Sequence, residues 1–197
     1  IRVTATTASV NGVAEINNVM AYGSATSDTA VGAFLLFAGT WADYDSVTFN
    51  NCAIISTVGN GIQGDGSDTG RVVCNYCVAL KGLTDSSNST VGFRYVKANN
   101  CAAFHYGPSG GYGAFLNLGT GSSNNASDDT TSSSGLQSLT ASDQFTDLTA
   151  SAWDIRLKAG SDLIGAGSPV AGVTTDVAGT TRDGTSPSVG FFEYETV

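Results

Sequence analysis

Residues 50–55 read Asn50-Asn51-Cys52-Ala53-Ile54-Ile55, and the same phrase returns along the chain. Asn75-Tyr76-Cys77-Val78-Ala79-Leu80 starts 25 residues later, and Asn99-Asn100-Cys101-Ala102-Ala103-Phe104 another 24. Upstream, Asn17-Asn18-Val19-Met20-Ala21-Tyr22 stands 33 residues before Asn50, which implies a longer loop in that period. A weaker fifth block, Asn124-Asn125-Ala126-Ser127, begins 25 residues after Asn99. Self-similarity at a fixed period is the mark of stacked architectures.

Two further registers run beside this one. Val31-Gly32-Ala33-Phe34-Leu35, Gly59-Asn60-Gly61-Ile62, Val91-Gly92-Phe93-Arg94-Tyr95 and Tyr112-Gly113-Ala114-Phe115-Leu116 each follow an Asn block. Asp45-Ser46-Val47-Thr48-Phe49 and Arg71-Val72-Val73-Cys74 precede two of the blocks. Each period thus carries three short strands separated by turn residues. Three such strands cannot bury their faces alone, but stacked copies can, with equivalent residues about 4.8 Å apart. The pattern predicts an all-β fold, a right-handed parallel β-helix of about four or five coils. A β-sandwich or jelly roll is the alternative, but neither requires a block repeated in fixed phase.

Stacking assigns roles to the repeated residues. Cys52, Cys77 and Cys101 form one interior row completed by Val19, as small buried hydrophobes rather than disulfides or a zinc site. Asn50, Asn75 and Asn99 form a second ladder at a turn, because Asn tolerates left-handed backbone and its amide can bond the copies above and below.

Composition agrees. Of the 197 residues, only 13% are charged, against roughly 25% in an average globular chain. Ser, Thr, Asn and 25 Gly take their place, a mix suited to strands and turns. A net charge of −9 repels phosphate backbones, so no nucleic acid is expected as partner. No apolar run approaches the roughly 20 residues that span a bilayer, and no membrane insertion is expected. The sequence opens on Ile1 rather than Met, consistent with a processed product or part of a longer polypeptide.

Residues 119–142, GTGSSNNASDDTTSSSGLQSLTAS, read as a Ser/Thr-rich surface excursion or linker. This leaves residues 1–118 for the coils and 143–197 for a C-terminal capping segment. The last segment contains Asp154-Ile155-Arg156-Leu157-Lys158-Ala159-Gly160-Ser161 and Ile164-Gly165-Ala166-Gly167. It continues with Asp176-Val177-Ala178-Gly179-Thr180-Thr181-Arg182 and Ser188-Val189-Gly190-Phe191-Phe192-Glu193. This resembles the closing phrase of the pectate-lyase-like right-handed parallel β-helix proteins of phages and bacteria, of tailspike and fibre type. The upstream Asn-Cys blocks resemble the same group. Ser188 and Phe191 depart from the usual Asp and Ala, which argues against a cation at this end. Arg182 is expected to pair with Asp176 or Asp183 as a structural clamp.

The resemblance implies carbohydrate contact. For a glycoside hydrolase, two carboxylates must share one surface. Asp43 and Asp45 have strand spacing that puts them on one face, with Trp41 and Tyr44 near enough to stack on sugar. Tyr106 and Tyr112 are further glycan-binding candidates. Asp65 and Asp68, in a Gly-rich run, read first as a turn and second as a Ca²⁺ site, Ca²⁺ being the one cofactor considered. For a lyase, His105 with Arg94 and Lys97 would supply base and cation. Asn88-Ser89-Thr90 and Asn125-Ala126-Ser127 are sequons that an Asn/Ser/Thr-rich composition produces by chance.

So short a stack needs capped ends or other chains. The expectation is therefore a structural or adhesive component of a phage virion, such as a spike, fibre or capsid decoration. It would sit at the virion surface or outside the cell, as a homotrimer or with other virion proteins, touching host glycan. A polysaccharide-degrading lyase or hydrolase, or a bacterial extracellular module, is the alternative.

Overall fold

The computed structural model describes residues 13–23, 34–35, 46–56, 60–64, 66, 69–81, 91–105, 113–132, 135–149 and 153–195. These are nearly all strand and turn: β1 (Val13–Gly23), β2 (Phe34–Leu35), β3 (Ser46–Ser56), β4 (Ile62–Gln63), β5 (Val72–Asn75), β6 (Val78–Lys81) and β7 (Phe93–Arg94). Then come β8 (Lys97–Asn99), β9 (Ala102–Phe104), β10 (Phe115–Leu116), β11 (Asn125–Ser127), β12 (Gly135–Leu136), the single-turn helix α1 (Ala141–Gln144), β13 (Phe145–Asp147) and β14 (Asp154–Leu157).

Two parallel sheets follow the repeat. The larger has eight strands, β12-β11-β9-β6-β3-β5-β8 with β1 also on β3. The smaller runs β10-β7-β4-β2. Registers match the aligned phrases: Asn17 pairs with Asn50, Asn50 with Asn75 and Asn75 with Asn99. In the small sheet Phe34, Ile62, Phe93 and Phe115 stand in one row. The Phe93 and Phe115 rings stack at 5.3 Å. The rows pack closely enough that a Cβ on Gly61 would lie 2.2 Å from the Gly92 carbonyl oxygen.

Each passage through the large sheet is broken by one left-handed residue. Asn18, Asn51, Tyr76, Asn100 and Asn124 all have φ between 49° and 57°. This column lies one residue after the Asn ladder, so the ladder asparagines close a strand while their neighbours make the bend. Asn adopts this conformation more readily than other residues with a side chain. Tyr76 is not such a residue, and tertiary contacts described below hold it there.

The bend redirects the sheet around a core. Val47, Phe49, Cys52, Ile54, Val72, Cys74, Cys77, Ala79, Cys101 and Ala103 point inward against Ile62, Phe93 and Phe115 of the small sheet. All four cysteines are buried and free. Each thiol of the row donates to a carbonyl in the preceding period: Cys52 to Ile16 at 3.3 Å, Cys77 to Phe49 at 3.5 Å and Cys101 to Cys74 at 3.3 Å.

The fifth block enters this row one residue out of step with the sequence alignment. Asn99 bridges Ser123, and Ala102 pairs with Ala126, a step of 24 rather than 25. Asn125 therefore occupies the cysteine position, fully buried. Its Nδ2 donates to Ala98 O at 3.0 Å, the contact a thiol makes elsewhere, and its Oδ1 accepts the Cys101 N–H at 3.0 Å. A buried sequon asparagine with both ends of its amide engaged is not a glycosylation acceptor.

This also corrects the reading of residues 119–142 as an excursion. They hold β11 and β12, and Asn125, Ala126 and Ser127 are all buried. Low apolar content misled because the buried polar side chains here are hydrogen-bonded: Ser127 Oγ donates to Asp129 O and Ser132 Oγ to Leu136 O.

The last third covers the outward face of the large sheet. Ala53, Ile55, Val78, Leu80, Ala102, Phe104 and Ala126 alternate with the inward residues and meet Phe145, Ile155, Leu157, Leu163, Val189 and Phe191 in a second core. Phe104 and Phe145 pack edge to face at 5.5 Å. The second halves of the periods are thus apolar on both faces, as strands buried on both sides must be.

Candidate functional site

The strand halves before the bend are covered differently, and a groove opens over them. Along β1 and β3, residues two apart share a face. Glu15 and Asn17 on β1 therefore stand beside Thr48 and Asn50 on β3, in register. Asn75 on β5 extends the row. The amides are linked: Asn50 Nδ2 donates to Asn17 Oδ1 at 2.9 Å, Asn75 Nδ2 to Asn50 Oδ1 at 2.8 Å, and Asn99 Nδ2 to Asn75 Oδ1 at 2.9 Å. The facing wall is residues 171–175, turned by Gly172 at φ 83°. Between them lies a cavity of about 450 Å³ in which Glu15 is the one ionisable residue among the described lining residues.

The wall is held by the bend column. Asn51 Nδ2 donates to Asn18 Oδ1 at 3.1 Å and to Thr175 O at 2.9 Å. Arg182 Nη2 donates to Asn51 Oδ1 at 2.9 Å, so both ends of that amide are engaged. Arg182 also stacks on the Tyr76 ring at 3.8 Å and donates to Gly190 O at 3.0 Å. Ser168 continues the seam: its carbonyl accepts Tyr76 OH at 2.9 Å and Asn100 Nδ2 at 2.7 Å, and its hydroxyl accepts Asn124 Nδ2 at 2.8 Å. One segment thus reads four successive bends.

Arg182 is a clamp, with a partner other than the expected aspartates. Its ion pair is with Glu193, Nη1 to Oε2 at 3.3 Å, and both side chains are buried. Asp176 instead accepts the N–H groups of Ala178, Thr180 and Glu193, and Asp183 those of Thr185 and Ser186. Sequence adjacency suggested the aspartates. The chain folds so that they cap their own turns while Glu193, eleven residues on, comes back to the guanidinium. Burial pulls the Arg182 pKa below its usual value.

A second polar cluster sits where the chain leaves β9 and β11. His105, at φ 68°, donates its N–H to Asp128 Oδ2 at 2.6 Å, and its Nδ1 lies 3.7 Å from the same oxygen. Asp128 Oδ1 is buried and has no hydrogen-bond partner. Burial raises the Asp128 pKa to about 6, with the Asp129 charge adding to the rise, and burial lowers that of His105. Asp129 is fully used: Oδ2 accepts Ala114 N–H and Oδ1 accepts from Thr131.

His105 therefore faces Asp128. Arg94 lies over the neighbouring Tyr95 ring at 4.8 Å and bonds its hydroxyl. Trp41, Asp43, Tyr44, Asp45, Asp65, Asp68, Tyr106 and Tyr112 fall outside the described residues. Asn50 pairs in register with Asn75 and Asn75 with Asn99, and Cys52, Cys77 and Cys101 lie in the inner core. Sequence reasoning passed over Glu15, Thr48, Asp128 and the 171–175 wall. Glu15 and Thr48 were legible as i−2 neighbours of ladder residues, whereas nothing in the sequence ties residues 171–175 to Asn51. Among the described residues no three metal-ligating side chains converge, and no helix is long and apolar enough to cross a membrane. Comparison of the chain with protein-family models, curated proteins and solved structures finds no match.

Proposed function

We propose that this chain is a right-handed parallel β-helix acting as a structural or adhesive module, of the kind that forms spikes, fibres or decorations on phage virions. Parallel strands joined by crossovers are right-handed in nearly all sheets, which supports the handedness. The observation that carries the non-catalytic reading is the employment of the polar side chains. The asparagines bond one another from period to period, and Asp129, Asp176 and Asp183 are spent on backbone N–H groups. Groups consumed in this way build a rigid surface and leave little for acid–base work. The trimer and the virion surface rest on the sequence resemblance and on the shortness of the stack.

A polysaccharide-degrading enzyme is the second reading, favoured by one observation. Asp128, with an unpartnered oxygen and a pKa near 6 beside His105, has the proton affinity of a general acid. The test is light scattering on the purified chain together with incubation on a polysaccharide panel. Trimers without new reducing ends or unsaturated products support the module. Chain cleavage that Asp128→Asn abolishes overturns it in favour of the enzyme.

A further inference from the structure

We infer that the groove between the amide ladder and residues 171–175 binds a neutral, linear oligosaccharide laid along the stacking direction, an inference that rests on the adhesive reading above and names its ligand. The chemistry of the lining selects this class. Among the described residues Glu15 is the only ionisable group lining the groove, and the chain carries a net charge of −9, so an anionic polymer is repelled. The floor is amide, hydroxyl and one carboxylate, with no aromatic side chain among the described residues, so an apolar ligand gains little there. The groove volume of about 450 Å³ suits a few sugar rings rather than a folded partner.

The ladder adds direction. A primary amide has two N–H donors and an oxygen with two lone pairs. Asn50 spends one donor on Asn17 and one lone pair on Asn75. One donor and one acceptor therefore remain on the same rung. Asn17 accepts from Asn50 in the same way. Hydroxyl groups of a sugar both donate and accept, so they complement such a rung, and the rungs recur at the strand spacing of about 4.8 Å. Asn51 has no donor in reserve, because Asn18 and Thr175 take both of its N–H groups while its oxygen accepts from Arg182. Thr48 and Glu15 flank the ladder on the floor and add a hydroxyl and a carboxylate, both able to accept from sugar hydroxyls.

The experiment is calorimetric titration of the intact chain with uncharged glucan, galactan and mannan oligosaccharides, one sulfated oligosaccharide and one uncharged Ser/Asn-rich peptide. Thr48→Tyr fills the groove and keeps every ladder asparagine, and Glu15→Tyr fills it from the neighbouring strand. At least one neutral oligosaccharide is expected to bind. The sulfated analogue and the Thr48→Tyr variant should each be weaker by roughly tenfold or more, with the thermal midpoint of the variant unchanged. Lack of binding across the neutral panel, equal binding by Thr48→Tyr, or preference for the sulfated chain or the peptide overturns the assignment. A Thr48→Tyr variant that unfolds is replaced by Glu15→Tyr, which fills the groove from the neighbouring strand and whose unchanged affinity would equally overturn it. Failure here leaves the structural module standing, since that reading is decided by assembly and by the absence of turnover.

Discussion

Replacing Asp128 with Asn isolates the cost of one buried carboxylate. In the folded chain its pKa is about 6, against 3.8 for the free group, chiefly because burial disfavours the charge and leaves Oδ1 without a partner. A rise of about two units corresponds to about 3 kcal/mol. The sign follows from which state holds the proton more tightly. The folded state does, so this contribution is fully present below pH 4 or so and is lost as pH climbs through about 6. His105 acts in the opposite sense, because its lowered pKa makes acidification costly below its unfolded value. The wild-type profile alone is therefore flattened, and the difference between variant and wild type is the clean observable. Asn keeps an oxygen for the His105 N–H but carries no charge. The variant should gain on the wild type by about 3 kcal/mol between acid and pH 7.5, roughly two thirds of it between pH 4.5 and 7.5. For a chain of this size that full gain is about 6 to 12 °C in midpoint. Denaturant unfolding of both proteins at pH 4.5, 6 and 7.5 measures it. A difference that stays constant with pH, or that shrinks as pH rises, refutes the assignment of a raised pKa to this carboxyl.

Other sites give independent checks. Arg182→Leu strands the buried Glu193 and removes the donor to Asn51, so unfolding should be easier by about 3–5 kcal/mol, and Arg182→Lys should recover little because an ammonium cannot reproduce the forked contacts. Asn125→Ala leaves the Cys101 N–H unpaired in the core, while the Ala98 carbonyl keeps its bond from the Ser123 N–H, and should cost about 1–3 kcal/mol, read by the same titration. The Cys77 thiol beside Cys52 and burial hold the Cys52 pKa far above its ordinary value, and burial does the same for Cys74. A thiol reagent at pH 8 should accordingly label none of the four buried cysteines in the folded chain and all four in denaturant. Rapid labelling of the native protein would contradict the interior row.

The sequence by itself determined the parallel pairing and its register. Asn-Asn-Cys-Ala recurs because neighbouring periods place chemically equivalent atoms on top of one another, so Asn17, Asn50, Asn75 and Asn99 could be set in a row from spacing alone. It missed the register by one residue at the last block, where Asn124 and Asn125 offered two equal alignments. Only the closed geometry of the core decided that the second fills the cysteine position, since there its amide meets both Ala98 and Cys101. The tertiary structure likewise decided what the last third does. Contacts such as Arg182 with Asn51, Thr175 with Asn51 and Tyr76 with Ser168 join residues 92 to 131 apart, through one-off side-chain fits that no period encodes. The groove and the His105–Asp128 cluster belong to that second kind. Their parts come from different periods and loops, and burial, a property of the folded whole, sets the chemistry of Asp128.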